Sequence, residues 1–464
     1  MKKITAIVLA LVLVISIFAG CANNNQPSQE SSTPTEPSPS GTQPTGEPVY
    51  IAPDAQSMTG KVRFYTAFAG ENGIDALIAE FNEYYPGISV ESTVYKNSPD
   101  GNVALDTAMI AGEVDVIMSF GVSNTAKRWS NGMLMDITDR LAADNLDLVE
   151  EWGTDSYKHE NRVFVFPSGG LSVYVAINMD EWNAAGLGDI PSEWTWEEYI
   201  EACRAMTEKD AAGNVTVYGG TDFNQIDYWT YSIRQTKGKN AFYKEDGSSD
   251  FDNPLWATVL QREVDAEAEK AWYAKATFLA DSTKSRDKII SGEIASGIES
   301  ILTRYITAGT QTFKIGYAPY PVNTKGETNY MGGAIPNSFV GVSSSSPDQE
   351  AAYAFAKFCA TYGNKYMYAA GHATTWTGVD AEEVLDVVFG SRAEAEKKID
   401  VDGFIANVIA TGKPAYSEDY IVAFTEIQSI IDEYTVYVLT GEMTAANALA
   451  EMKTLADQAI SNAQ

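Results

Sequence analysis

The sequence predicts an α/β protein of two bodies joined by a hinge, and three observations predict it. The chain has 464 residues, more than one compact core ordinarily holds, so two domains are expected. Between Lys61 and Phe120, patterns for strand, helix, strand, helix and strand follow one another, the mark of an α/β unit with right-handed crossovers. The stretch Arg162–Tyr199 sets two β-branched apolar runs, Arg162–Phe166 and Ser172–Ile177, on either side of Pro167, Gly169 and Gly170. A strand interrupted in this way reads as a hinge.

Residues 1–20 carry Lys2 and Lys3, an apolar run from Ile4 to Phe18, and the small pair Ala19 and Gly20 before Cys21. They read as an export signal, since the run is short for a membrane-spanning helix. The motif FAGC resembles the bacterial lipobox, in which the cysteine is acylated and becomes the mature N-terminus. Residues 21–59 then form a Pro/Ser/Thr-rich spacer with too little apolar surface to order itself. As a coil it would span on the order of 35 Å.

The folded part opens with the strand KVRFYTAF (Lys61–Phe68). A helix follows on Ile74, Leu77, Ile78, Phe81 and Tyr85, closed by Pro86 and Gly87. Ile88–Tyr95 is the second strand, Ala104–Ala111 a helix, and Val114–Phe120 a continuous apolar run suited to burial on both faces of a parallel sheet. Ligands of such sheets sit beyond the carboxyl ends of the strands. That rule nominates the loops Phe68–Asn72, with Glu71, and Ser119–Ser123; the competing reading makes them plain connections. AFAGENG has neither phosphate-binding glycine pattern, which removes support for a nucleotide site.

Thr195 and Glu198 form a capping box, and Trp196, Tyr199, Ile200, Cys203 and Met206 make one apolar face. Thr221–Gly247 is irregular and aromatic; Asp222, Gln225, Tyr228, Trp229 and Tyr231 mix flat apolar faces with hydrogen-bonding groups, as sugar binding requires. Asn253–Lys275 and Ser282–Gly292 read as helices, Glu293–Leu302 and Lys314–Pro321 as strands. A capped helix starts near Ser346, GHATTWTG is a loop exposing Trp376, and the chain from Asp380 onward is helical.

The formal charge of −31, from 63 acidic and 32 basic residues, disfavours nucleic acid and anionic lipid surfaces as partners. Cys203 and Cys359 fall on apolar helix faces as small hydrophobes, with their pairing left open. His159 and His372 lack the spacing of a metal site or a triad, so no metal and no cofactor are expected.

The order of FNEYYPGISVE, AGEVDVIMSFG, NGMLMDIT, YVAINMDEWNAAGL, PSEWTWEEY, SGEIASGI, IGYAPYP, EAAYAFAKF and GEMTAANAL resembles the extracellular solute-binding proteins of bacterial ABC importers, in the carbohydrate-binding family that includes maltose-binding protein. The resemblance implies a two-lobed periplasmic-binding-protein-like fold with a hinge and an interlobe cleft. Lobe one would comprise 60–168 plus 300–345, and lobe two 169–299 plus 346–464. It implies a lipid-anchored monomer on the extracellular face of the cytoplasmic membrane that delivers a neutral sugar or oligosaccharide to an ABC permease, without catalysis. Phe68, Trp229 and Trp376 would stack on sugar rings. Glu71, Asp222 and Glu299 would accept hydroxyl hydrogen bonds, with Ser119, Tyr228 and Gly332 also facing the cleft. The alternatives are a secreted glycoside hydrolase, which needs a carboxylate pair about 5 to 10 Å apart, or a binding protein for a non-sugar solute or a sensor partner.

Overall fold

The structure, a computed structural model, describes residues 47–154, 156–222, 228–409, 412–419 and 422–463. The export signal, Cys21, most of the spacer and Gln225 lie outside the described residues.

The labelled elements are β1 (Thr59–Thr66), α1 (Ile74–Tyr84), β2 (Gly87–Val94), α2 (Pro99–Ile110), β3 (Val116–Phe120) and α3 (Val122–Ser130). After them come β4 (Phe166–Leu171), β5 (Tyr174–Asn178), α4 (Trp196–Met206), α5 (Tyr231–Lys237) and α6 (Pro254–Ala268). The remainder are β6 (Ser296–Glu299), β7 (Ile315–Pro319), β8 (Ile335–Val342), α7 (Gln349–Ala360), α8 (Phe424–Leu439) and α9 (Ala445–Ala463).

Local chemistry accounts for these elements. All five residues of β3 are buried, as its unbroken apolar run requires. Helix α2 begins one turn before the expected Ala104. Ser98 accepts a hydrogen bond from the Gly101 N–H, and Pro99 sits at the first turn, where a missing N–H costs nothing. In α4 the capping box forms in both directions, Glu198 N–H to Thr195 Oγ1 at 3.3 Å and Thr195 N–H to Glu198 Oε2 at 2.9 Å. The expected face of α4, including Trp196 and Cys203, is buried.

The first sheet has the order β2-β1-β3-β8-β4, with β1 parallel to β2 and β3, and β8 antiparallel to β3 and β4. The second has the order β6-β5-β7 and is antiparallel throughout. Each sheet carries its own core. Phe64, Phe81 and Phe355 pack in one, while Trp196, Trp229, Trp256 and Trp272 pack in the other.

The cores redraw the expected lobe boundaries. Helix α7 lies on the first sheet, with Phe355 edge-on to Phe64 at 5.0 Å and Tyr353 against Phe166 at 5.8 Å, so the segment from β8 to Trp376 belongs to lobe one. Residues 303–334 belong to lobe two, because β7 pairs with β5. The end of the spacer is also folded. Val49 N–H reaches Asp144 O at 2.9 Å, Lys357 Nζ donates to Val49 O at 2.9 Å, and Ala55 is buried in the first core.

Pro167, Gly169 and Gly170 do not interrupt a strand. They lie inside β4, at the edge of the first sheet and beside a register shift of β8, where proline is tolerated. Arg162 and Val163 belong instead to a small hairpin with Lys158 and His159, turned through Glu160 and Asn161 at φ of 50° and 61°. The chain leaves lobe one after Leu171, returns at Ile335, and leaves again beyond Trp376. These crossings run side by side: Leu171 is in register with Ile335, and Gly170 and Ala373 exchange N–H to O bonds of 2.9 and 3.0 Å.

Close approach explains the glycines here. A Cβ on Gly170 would stand 2.5 Å from the Ile335 carbonyl oxygen, while one on Gly169 would meet only the Ser338 hydroxyl at 2.5 Å, which can rotate. Gly170→Ala should therefore lower stability by about 1 to 3 kcal/mol, and Gly169→Ala by less. Chemical denaturation of the two variants checks that order, and equal effects would contradict it.

Candidate functional site

A cavity of about 480 Å³ lies between the lobes, within the usual range for small-molecule sites. Lobe one supplies Gly121–Asn124, Tyr157 and Leu171, and the returning crossing supplies Ile335–Asn337. Lobe two supplies Thr230, Tyr231, Arg234, Phe242, Tyr416, Glu418 and, from α8, Phe424, Gln428, Ile431 and Asp432.

The lobe-one wall is built from backbone. Helix α3 starts at Gly121, whose φ of 78° suits glycine, and no side chain caps its first turn. Helix geometry leaves the N–H groups of that turn without acceptors in their own helix. Gly121 N–H itself is held by Asn337 O at 2.9 Å, which ties the helix start to β8.

The lobe-two wall is aromatic around one cation. The Arg234 guanidinium sits 4.7 Å from the Tyr231 ring centre, 5.2 Å from Phe242 and 5.1 Å from Tyr416, contacts that stabilise a desolvated cation. Tyr416 hydroxyl accepts from Ala241 N–H at 2.8 Å and donates to the Glu418 carboxylate. Burial pushes the Glu418 carboxyl up to about 7, against the pull of Arg234 and the Tyr416 bond. Tyr157, in the left-handed region at φ 55°, packs on Phe339 and lies beside Glu418, whose charge adds to burial in raising the pKa of the Tyr157 hydroxyl.

The residues nominated from sequence fall elsewhere for the most part. Trp229 is 2% exposed and edge-on to Trp256 at 5.6 Å, which places it in the second core. Trp376 is 4% exposed; its indole N–H donates to Glu151 Oε2 at 2.8 Å, and its ring packs on Tyr50 and Tyr362 in the first core. Phe68 packs edge-on to Phe120 and His372, both at 5.0 Å. Ser119 is wholly buried, its Oγ taking bonds from Arg128 Nη1 at 2.5 Å and Thr125 Oγ1 at 2.9 Å.

Glu299 is fully buried and accepts from the Ser285 hydroxyl. Asp222 is buried beside Glu263, with which it shares a hydrogen bond. Glu71 is exposed in the turn Gly70–Asn72, and Gly332 lies in the turn after Asn329, near Lys413. None of these residues lines the cavity. Tyr228 opens the short turn Tyr228–Thr230, and its side chain is outside the described set. Of the nominated loops, Ser119–Ser123 reaches the cavity through Gly121 and Ser123, and Tyr231 reaches it from the aromatic segment.

Arg234, Tyr416, Glu418 and Asp432 were not foreseen. One signal was available: Tyr231 and Arg234 are three apart on a helix, and so share a face. The cysteines need no disulfide, since Cys203 and Cys359 are free and buried in different cores. Among the described residues no group of three or more His, Cys, Asp or Glu could hold a metal, and no helix is long and apolar enough to cross a membrane.

The family model of bacterial extracellular solute-binding proteins matches residues 69–366, more than half of the chain. The chain belongs to that family. Among solved structures, a sugar transporter from Rhizobium etli in an open conformation superposes with a TM-score of 0.70 at 16% identity, covering 87% of this chain and 100% of its own. An ABC substrate-binding protein from Listeria monocytogenes in complex with cycloalternan gives 0.65 at 17%, covering 87% and 100%. Maltose-bound MalE3 of T. maritima gives 0.62 at 20%, covering 85% and 98%. At such identities the likeness establishes the two-lobed solute-binding fold.

Three buried carboxyls carry a pH signature. Glu267, Glu299 and Glu418 are each pushed up to about 7, chiefly by burial. An ordinary glutamate titrates near about 4.3, so between these values the folded protein keeps protons that the unfolded chain has lost. Stability must then fall as pH rises through that window. The melting temperature should decline from about pH 5 to about pH 8, less steeply in Glu299→Gln and Glu418→Gln. A rise over the same interval would contradict the assignment.

Proposed function

We propose that this solute-binding protein is the receptor of an ABC importer, closing its lobes on a sugar or oligosaccharide and passing it to a membrane permease. The observation that carries this reading is the wall chemistry of the interlobe cavity. Flat faces of Tyr231, Phe242 and Tyr416 surround Arg234 and Glu418, with Asp432 and Gln428 on the neighbouring helix. Aromatic faces suit the apolar faces of a pyranose, while charged groups make the stronger hydrogen bonds to hydroxyls. The fold relatives from Listeria monocytogenes and T. maritima bind cycloalternan and maltose, which supports the same solute class.

The activity proposed is binding without catalysis. Asp222 and Glu299, two of the carboxylates nominated from sequence, are buried away from the cavity. The lobes would turn about the crossing segments at Leu171, Ile335 and Ala373, with Gly169 and Gly170 as the close-packed part of the hinge. The N-terminal motif at Cys21 would anchor the protein by an acyl chain to the extracellular face of the cytoplasmic membrane, as a monomer.

A thermal-shift screen over mono- and oligosaccharides tests the solute class. A solute that binds only the folded form at about one hundred times its Kd adds about 2.7 kcal/mol, a clear rise in melting temperature. No shift with any glycan, and a shift with peptides or polyamines instead, would remove the sugar assignment. Cys21→Ser should move the protein from the membrane fraction to the medium on cell fractionation; unchanged membrane retention would remove the lipid anchor.

A further inference from the structure

The geometry points to an acidic sugar as the solute: a glycan carrying a carboxylate, with Arg234 as the group that selects it. This rests on the sugar-binding reading and narrows it from the neutral glycan that the sequence suggests. Arg234 is 9% exposed and lines the interlobe cavity. Its Nε has no hydrogen-bond partner, and among the described residues its guanidinium makes ring contacts but no ion pair.

Two other buried cations of this chain are matched directly by carboxylates. Arg128 bonds Asp106 Oδ1 at 2.8 Å together with Asn102 and Ser119, and Lys357 bonds Asp144 at 2.6 Å together with Val49 O. A buried cation without a counter-ion is costly unless something charged arrives to pair with it. The planar fork of a guanidinium fits the two oxygens of a carboxylate.

Glu418 attracts Arg234 through space but, among the described residues, forms no direct ion pair with it; one of its carboxylate oxygens accepts from the Tyr416 hydroxyl and the other has no hydrogen-bond partner. Asp432 is exposed on α8. Both are acceptors, suited to sugar hydroxyls rather than to a second acid. Across the cavity the uncapped start of α3 offers backbone N–H groups at Val122–Asn124 and the positive end of the helix. Arg234 in lobe two and the start of α3 in lobe one thus each offer a place for negative charge, in a protein whose overall charge is −31.

The test is calorimetric titration of the purified protein with three matched sets. These are di- and trisaccharides of galacturonate and of glucuronate, their methyl esters, and the corresponding neutral galacto- and gluco-oligosaccharides. The acids should bind at least about tenfold more tightly than the esters. Arg234→Gln should abolish that preference and Arg234→Lys should keep part of it. The ester comparison uses the unmodified protein, so it decides even where Arg234→Gln fails to fold. Equal or tighter binding of esters or neutral sugars overturns the acidic-solute assignment while leaving the sugar receptor intact. No binding of any set overturns both.

Discussion

The exchange of backbone hydrogen bonds between Gly170 and Ala373 is the constraint on which the rest of the molecule depends. Each lobe has its own core, so what relates them is the seam of crossing segments. There Leu171 faces Ile335, Gly170 is bridged to Ala373, and β8 carries the register shift that lets the strands pass. The seam tolerates no side chain at Gly170, because the Ile335 carbonyl already occupies that space. Its residues also form part of the cavity wall, at Leu171 and at Ile335–Asn337. A rotation of one lobe against the other therefore changes the cavity from its floor.

The distribution of aromatic residues follows from what each lobe must bury. Tryptophan rings supply large apolar area, and a buried indole N–H usually finds a partner. Trp376 finds Glu151, whose carboxylate also accepts from the Tyr50 hydroxyl at 3.0 Å to both oxygens, fastening the segment around Tyr50 to lobe one. In lobe two, by contrast, Trp196 meets Trp272 and Trp229 meets Trp256 edge to face, and the four indole N–H groups have no hydrogen-bond partner among the described residues, so packing holds them. The cavity is lined instead by tyrosine and phenylalanine, and the Tyr416 hydroxyl is spent on specific bonds to Glu418 and Ala241.

Much of the fold was legible because it is written in local patterns. Periodicity and caps located β1, α1, β2, β3 and α4, and the alternation of strand and helix gave the parallel part of the first sheet. Lobe membership was not legible, since nothing local tells α7 that its face of Phe355 and Phe358 will meet Phe64 and Phe81. Pro167, Gly169 and Gly170 looked like a break because composition cannot distinguish a strand interruption from an edge strand pressed against a neighbouring backbone. The site was the least legible part. Trp229 and Trp376 were attractive by residue type, yet burial is decided by long-range packing. Arg234 was hidden in an irregular segment, where its value comes from Phe242 and Tyr416, far along the chain.

The two walls of the cavity differ in kind, and that difference has a mechanical consequence. On the lobe-one side the polar groups are main-chain amides of α3, fixed by the Asn337 carbonyl and by the buried Ser119, Thr125 and Arg128 network beneath them. They present a preorganised surface that cannot reorient. On the lobe-two side the polar groups are side chains, with Arg234 held by three rings and Glu418 held near its titration point. Ring contacts return roughly 0.5 to 2 kcal/mol each to a cation, so the three together offset much of the several kcal/mol that desolvation of an ion costs. A solute that pairs with Arg234 while touching the amides of lobe one must contact both lobes at once. Binding free energy gained only in that bridged arrangement favours closure over opening.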